Sequence, residues 1–103
     1  MSADVHSARF EWEEAYRDFW QATRDPAAAE ALGRQLRAVT DELRRRVGGA
    51  FTLRELAGEY ARAERWIHDV LAEQAVPGWP RTLSLVEGAA FHLYSRGAVD
   101  YAP

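Results

Sequence analysis

The chain has 103 residues, of which 48% are hydrophobic and 28% charged, with a net charge of −3. This length suits one domain with a single modest core, and this composition excludes a largely disordered chain. Cysteine is absent, which excludes a disulfide framework, a thiolate zinc site and a thiol nucleophile. No apolar run approaches the roughly 20 residues of a membrane span, and the N-terminus lacks the pattern of a secretory signal, so a cytoplasmic location is expected.

The first predicted helix covers about residues 5–23. Phe10 falls among polar residues on one side of this helix, and Trp20 lies at the edge of the other side. Phe10 is therefore predicted to be exposed, unless the helix begins after it. An α-helix turns ~100° per residue, so its apolar side is predicted to contain Val5, Trp12, Tyr16, Phe19 and Thr23.

The second predicted helix covers residues 26–47. Asp25 is a good N-cap, and Pro26 suits the first helical position because its missing N–H would be unpaired there. Gly48 and Gly49 end the helix.

The end of this second helix is rich in arginine, at Arg44, Arg45 and Arg46. Cations near a helix C-terminus are favourable, and the i,i+4 spacing to upstream acids predicts surface ion pairs. A solvated charged face is therefore favoured over a nucleic-acid contact. The predicted pairs are Glu30–Arg34, Asp41–Arg45 and Glu42–Arg46.

The third predicted helix covers residues 53–75 and opens with a capping box formed by Thr52 and Glu55. If the helix is straight, Glu64 falls inside its apolar stripe, where an unpaired carboxylate is costly to bury. Trp66 then points away from that stripe and is predicted to be exposed. A break near residues 61–64 would instead place Glu64 in a turn. Both interpretations stay open, and the continuous helix is favoured.

The broken form resembles the helix-turn-helix of DNA-binding proteins over about twenty residues. Ala61 stands where that motif has Gly, and Arg62 stands where it has a buried apolar residue. The resemblance implies that Glu64, Arg65, His68 and Asp69 face DNA bases and that Arg44, Arg45 and Arg46 contact the backbone. Matches to the buried positions of the motif are Leu53, Leu56, Ala57, Ile67, Val70 and Leu71.

The fourth predicted helix covers residues 81–96, with Gly97 as its C-cap. It carries a stripe of small and polar residues around Gly88, which permits close approach of a neighbouring helix. The tail at residues 98–103 has too little periodicity for a prediction. The four segments together predict an all-α fold, a compact antiparallel four-helix domain with the third helix either continuous or broken.

Twelve aromatic residues are many for a domain of this size, and a small bundle cannot bury them all. We expect some of them to bind a protein partner or a second copy of the chain, with Trp66, Phe10 and Tyr101 as contacts. The leading hypothesis is thus a small non-enzymatic helical interaction module. The alternative is a DNA-binding transcriptional regulator of the helix-turn-helix kind, and an enzyme of unrecognised type ranks third.

No catalytic or cofactor motif stands out in the sequence. The Glu-x-x-His pairs of helical di-iron proteins, the HExxH zinc motif and glycine-rich phosphate loops are all missing. Glu64 and His68 share one side of a helix, but two ligands do not define a metal site. We therefore expect no metal, no cofactor, no catalytic residues and no membrane partner.

Overall fold

The structure is a computed structural model that describes residues 5–71 and 79–102. Within these ranges the chain forms four α-helices and no strand, which confirms the predicted all-α fold. Helix α1 is Val5–Ala22, α2 is Pro26–Val47, α3 is Leu53–Leu71 and α4 is Trp79–Ser95. The extents of 37 × 25 × 25 Å and a radius of gyration of 13.1 Å are those of a compact domain of this length.

The helix boundaries agree with the sequence prediction to within two residues wherever they are described. The predicted end of the third helix, between residues 72 and 75, lies outside the described residues. None of the described helices is both long enough and apolar enough to cross a membrane. The antiparallel direction of neighbouring helices stays a prediction.

Local side-chain chemistry sets the start of α2 and α3. The Ala27 N–H donates to Asp25 Oδ1 at 3.0 Å, as expected for an N-cap. The capping box of α3 is confirmed in both directions: the Thr52 N–H donates to Glu55 Oε1 at 3.0 Å, and the Glu55 N–H donates to Thr52 Oγ1 at 3.1 Å. Gly48 closes α2 with a φ of 74°, where a side chain would be strained.

Close packing of α1 on α4 organises the core. A Cβ on Gly88 would lie 2.3 Å from the Cβ of Ala15, so this helix pair requires glycine at position 88. Trp12 of α1 is fully buried and lies 5.5 Å, between ring centroids, from both Tyr60 and Phe91. The predicted role of the small-residue stripe, a close helix approach, is confirmed at Gly88.

Helix α3 is continuous from Leu53 to Leu71, so the predicted alternative of a break near residues 61–64 is wrong. Glu64 is exposed on this straight helix and needs no turn to reach water. The buried face is wider than predicted, because it also includes Glu59 and Trp66, but Glu64 itself is not covered.

The C-terminal tail, for which the sequence predicts nothing, packs against the start of α3 and against α1. The Val99 N–H donates to the Phe51 carbonyl at 2.9 Å, and the Leu53 N–H donates to Asp100 Oδ1 at 2.8 Å. Arg9 then donates to the Ala102 carbonyl at 2.8 Å. Asp100 therefore satisfies an N–H in the first turn of α3, a role that is usually filled by a local residue.

Candidate interaction surface

Two large aromatic side chains lie exposed on α1, and they define the candidate site. Phe10 exposes 64% of its surface, which agrees with its predicted exposure, and Trp20 exposes 54%. They are ten residues apart, so their Cα atoms are separated by ~15 Å along the helix axis. At ~100° per residue they lie within an arc of about 80° on one side of the helix.

Charged residues fill the space between these two rings. Arg17 donates to Glu13 Oε1 at 2.9 Å, and both side chains are more than half exposed. A groove of about 380 Å³ runs along this side and is lined by Phe10, Glu13, Glu14, Arg17 and Asp18. We call Phe10, Glu13, Glu14, Arg17 and Trp20 the outer face of α1.

Trp20 is held in place by neighbouring rings although it is exposed. Its ring centroid lies 6.0 Å from that of Tyr16 and 5.8 Å from that of Phe19, both in edge-to-face geometry. Tyr16 in turn lies 4.5 Å from the His92 ring of α4, and the guanidinium of Arg96 sits 5.6 Å from the Tyr16 ring centroid. These contacts orient Trp20 without covering it.

Trp66 is buried, so its predicted exposure is wrong. It exposes only 5% of its surface, and the guanidinium of Arg46 lies 4.7 Å from its ring centroid. Arg46 also pairs with Glu59 at 3.4 Å and with Glu42 at 2.9 Å, which holds it over the indole. The sequence placed Trp66 on the polar side of α3, but that side packs under the end of α2.

Tyr101, the third predicted contact, is half-buried in the tail. The Arg9 guanidinium lies 5.3 Å from its ring centroid, in cation–π geometry. Since Arg9 also binds the Ala102 carbonyl, Tyr101 mainly joins the tail to α1. Its role as a partner contact stays a prediction.

The residues proposed to contact DNA fall into two groups. Glu64, Arg65, His68 and Asp69 are exposed on α3 and line, with Arg46, a groove of about 660 Å³. Arg44 and Arg45 lie on α2, outside the residues that line this groove.

The three arginines at the end of α2 are engaged in ion pairs. Arg44 pairs with Asp41 at 3.3 Å, and Glu42 binds both Arg45 and Arg46. The predicted Glu42–Arg46 pair is confirmed, as is Glu30–Arg34 at 3.0 Å, whereas Arg45 turns to Glu42 instead of Asp41. Carboxylates thus offset much of the positive charge that phosphate binding requires. The DNA-binding role of all these residues stays a prediction.

A group of carboxyl side chains, those of Glu11, Glu64 and Glu87, lies where α1, α3 and α4 meet. Glu87 exposes only 9% of its surface, and burial, followed by the charges of Glu64 and Glu11, raises its pKa to about 7. Burial, followed by the charges of Glu87 and Glu11, raises the pKa of Tyr60 to about 12. Across the described residues, no group of three or more His, Asp or Glu side chains is arranged to hold a metal ion.

Sequence reasoning missed Trp20 as a surface residue. The helical wheel put Trp20 at the edge of the apolar side, and edge positions are buried or exposed according to what packs beside them. The available signal was the spacing of Phe10, Arg17 and Trp20, which lie seven and then three residues apart and so share one side of α1.

Comparison with protein-family models, with curated proteins and with solved structures finds no significant match to this chain.

Proposed function

We propose that this chain is a small, non-enzymatic helical module that binds protein through the outer face of α1. The observation that carries this proposal is the exposure of Phe10 and Trp20 on one side of one helix. A single exposed apolar residue needs no explanation, but two large exposed rings on one side of one helix, one of them beside a groove, are typical of a binding surface.

The chemistry of this outer face supports the proposal. Aromatic residues, above all Trp, provide much of the binding energy at protein interfaces, and a polar rim around them keeps water out. Here Glu13, Glu14 and Arg17 provide the polar surroundings. Trp20 is already oriented by Tyr16 and Phe19, so less freedom is lost when a partner binds it.

The experiment compares the double substitution Phe10→Ala/Trp20→Ala with the wild type. Association is measured in two ways: by capture of proteins from native cell extract on immobilised chain, and by light scattering of the purified chain. We expect the double variant to bind at least about tenfold more weakly, because hot-spot aromatics contribute ~2 kcal/mol or more each. The free energy of unfolding should change by less than about 0.5 kcal/mol at Phe10 and by about 1 kcal/mol at Trp20, whose ring contacts Tyr16 and Phe19.

Val99→Ala is the matched control, because Val99 is also an exposed apolar residue, at 71%, but lies in the tail. It should bind like the wild type. Unchanged association in the double variant would contradict the proposal. A second contradicting result would be that the chain shifts the mobility of DNA fragments at low salt and that Arg65→Ala abolishes this shift. That result would favour the DNA-binding alternative.

A further inference from the structure

The outer face of α1 has a self-complementary pattern. Phe10, Glu13, Arg17 and Trp20 follow one another at intervals of three, four and three residues, which is the spacing of a helix–helix seam. The stripe has an aromatic residue at each end and opposite charges in the middle. The aromatic pair, Phe10 and Trp20, and the charged pair, Glu13 and Arg17, are both centred on the level of residue 15 along the helix.

This symmetry has a geometric consequence for two copies of α1 that run antiparallel. If they cross at the level of residue 15, residue n of one copy lies opposite residue 30 − n of the other. Phe10 then faces Trp20 of the second copy, and Glu13 faces Arg17 of the second copy. Both pairings occur twice, as a two-fold axis requires.

We propose that the occupant of this face is a second copy of the chain, bound as an antiparallel α1–α1 homodimer. This rests on the proposed function, because it uses the same outer face and names its partner. The face is complementary in charge to a second copy of itself, and this complementarity also favours the antiparallel orientation of the two helices. A parallel pair would set Glu13 against Glu13 and Arg17 against Arg17, which is repulsive.

The groove on this face fits the proposed packing. In helix seams a side chain of one helix enters the hole formed by four residues of the other, at positions i, i+3, i+4 and i+7. Phe10, Glu13, Glu14 and Arg17 form such a hole, and they line the 380 Å³ groove. The side chain opposite this hole is Arg17 of the second copy, which meets two carboxylates there.

Forming this contact requires the Arg17–Glu13 pair within each chain to open or to be shared. That pair lies in water, with side-chain exposures of 72% and 54%, so opening it costs little. A single helix face buries less area than the roughly 800 Å² per partner of a standard interface. The homodimer is therefore weak, and it forms at high protein concentration.

The test is a charge exchange followed by sedimentation equilibrium of the full chain at concentrations up to about 1 mM. Glu13→Arg places two arginines opposite each other at both symmetric contacts, and Arg17→Glu does the same with carboxylates. Each single variant should dimerise at least about tenfold more weakly than the wild type. An equimolar mixture of the two variants restores opposite charges, so it should form heterodimers, and the double variant Glu13→Arg/Arg17→Glu should regain self-association.

Circular dichroism and thermal unfolding check that each variant is folded, as we expect because both positions are exposed. The proposal would be overturned if the single variants dimerised as strongly as the wild type. It would also be overturned if mixing the two single variants did not increase dimerisation. If the wild type is monomeric at 1 mM but Phe10→Ala/Trp20→Ala still abolishes capture of another protein, the homodimer is wrong and the proposed function stands. If neither association occurs, both are wrong.

Discussion

The two sides of α1 carry the same kinds of residue in opposite environments. Trp12 on the inner side is fully buried against Tyr60 and Phe91, whereas Trp20, eight residues later, is more than half exposed. The inner side stabilises the fold, whereas the outer side exposes its rings to solvent. Aromatic content alone therefore does not indicate function, because the position of each ring relative to α4 decides its role.

The sharpest way to test this comparison is to remove each indole in turn. Trp12→Ala should reduce the free energy of unfolding by about 3–5 kcal/mol, because it leaves a cavity in the core. Trp20→Ala should reduce it by only about 1 kcal/mol, because its ring keeps contacts with Tyr16 and Phe19 but is not in the core. Urea denaturation followed by circular dichroism measures both values. Similar losses for the two variants would contradict the division of α1 into two sides.

The close approach of α1 and α4 gives the next largest effect. Gly88→Ala should cost about 1–3 kcal/mol, because the new methyl group would overlap Ala15. Restoring the space with Ala15→Gly in the same chain should recover part of this loss, although glycine in a helix costs about 1 kcal/mol. A Gly88→Ala variant as stable as the wild type in the same denaturation experiment would show that the helices are not so closely packed.

The next prediction concerns Glu87, which lies where the inner side of α1 meets the neighbouring helices, and the pH dependence of the free energy of unfolding. Its pKa is raised from 4.5 to about 7, so as pH rises from about 4.5 the unfolded chain ionises while the folded chain keeps its proton. The free energy of unfolding should fall over this range and level off above about pH 7.

The matched variant Glu87→Gln is neutral at every pH and should remove this dependence. At pH 8 it should be more stable than the wild type by roughly 2 kcal/mol, allowing for the water that still reaches the carboxyl, and at pH 4 nearly equal. Denaturation curves at the two pH values measure this difference. An identical pH dependence in both proteins would place Glu87 in contact with solvent.

The smallest expected effect is on the outer side of α1. Arg17→Ala removes the exposed pair with Glu13 and should cost only about 0.2–0.5 kcal/mol in the monomer. Thermal unfolding at low protein concentration, where the chain is monomeric, measures this loss. A cost above 1 kcal/mol would mean that Arg17 supports the fold and is not reserved for binding.

The sequence predicted those parts of the fold that depend on near neighbours along the chain. The Asp25 cap, the Thr52–Glu55 capping box and the glycine that ends α2 all act over a few residues, so their chemistry can be read directly. The four helices follow from apolar periodicity for the same reason.

The candidate site depended on contacts that no local pattern encodes. Trp66 is buried because Arg46, twenty residues away, lies over its ring. Glu59 is buried on the polar side of α3 because its carboxylate pairs with Arg46 and with Arg62 at 3.0 Å, whereas Glu64 on the apolar side is exposed. Trp20 stays uncovered because its position at the edge of the apolar side is settled only by the neighbouring helices.

The tail contacts bear on the order in which the molecule is completed during synthesis. Asp100 satisfies an N–H of α3 that lies 47 positions earlier, and the Ala102 carbonyl accepts from Arg9 across 93 positions. Helices close to one another in sequence can begin to form as the chain leaves the ribosome. The contacts of Asp100 and Ala102 can form only once these residues have been synthesised. The contribution of the tail to joining α1 and α3 is therefore made only after translation has passed residue 102, and a chain halted at residue 96 should unfold more readily than the whole one.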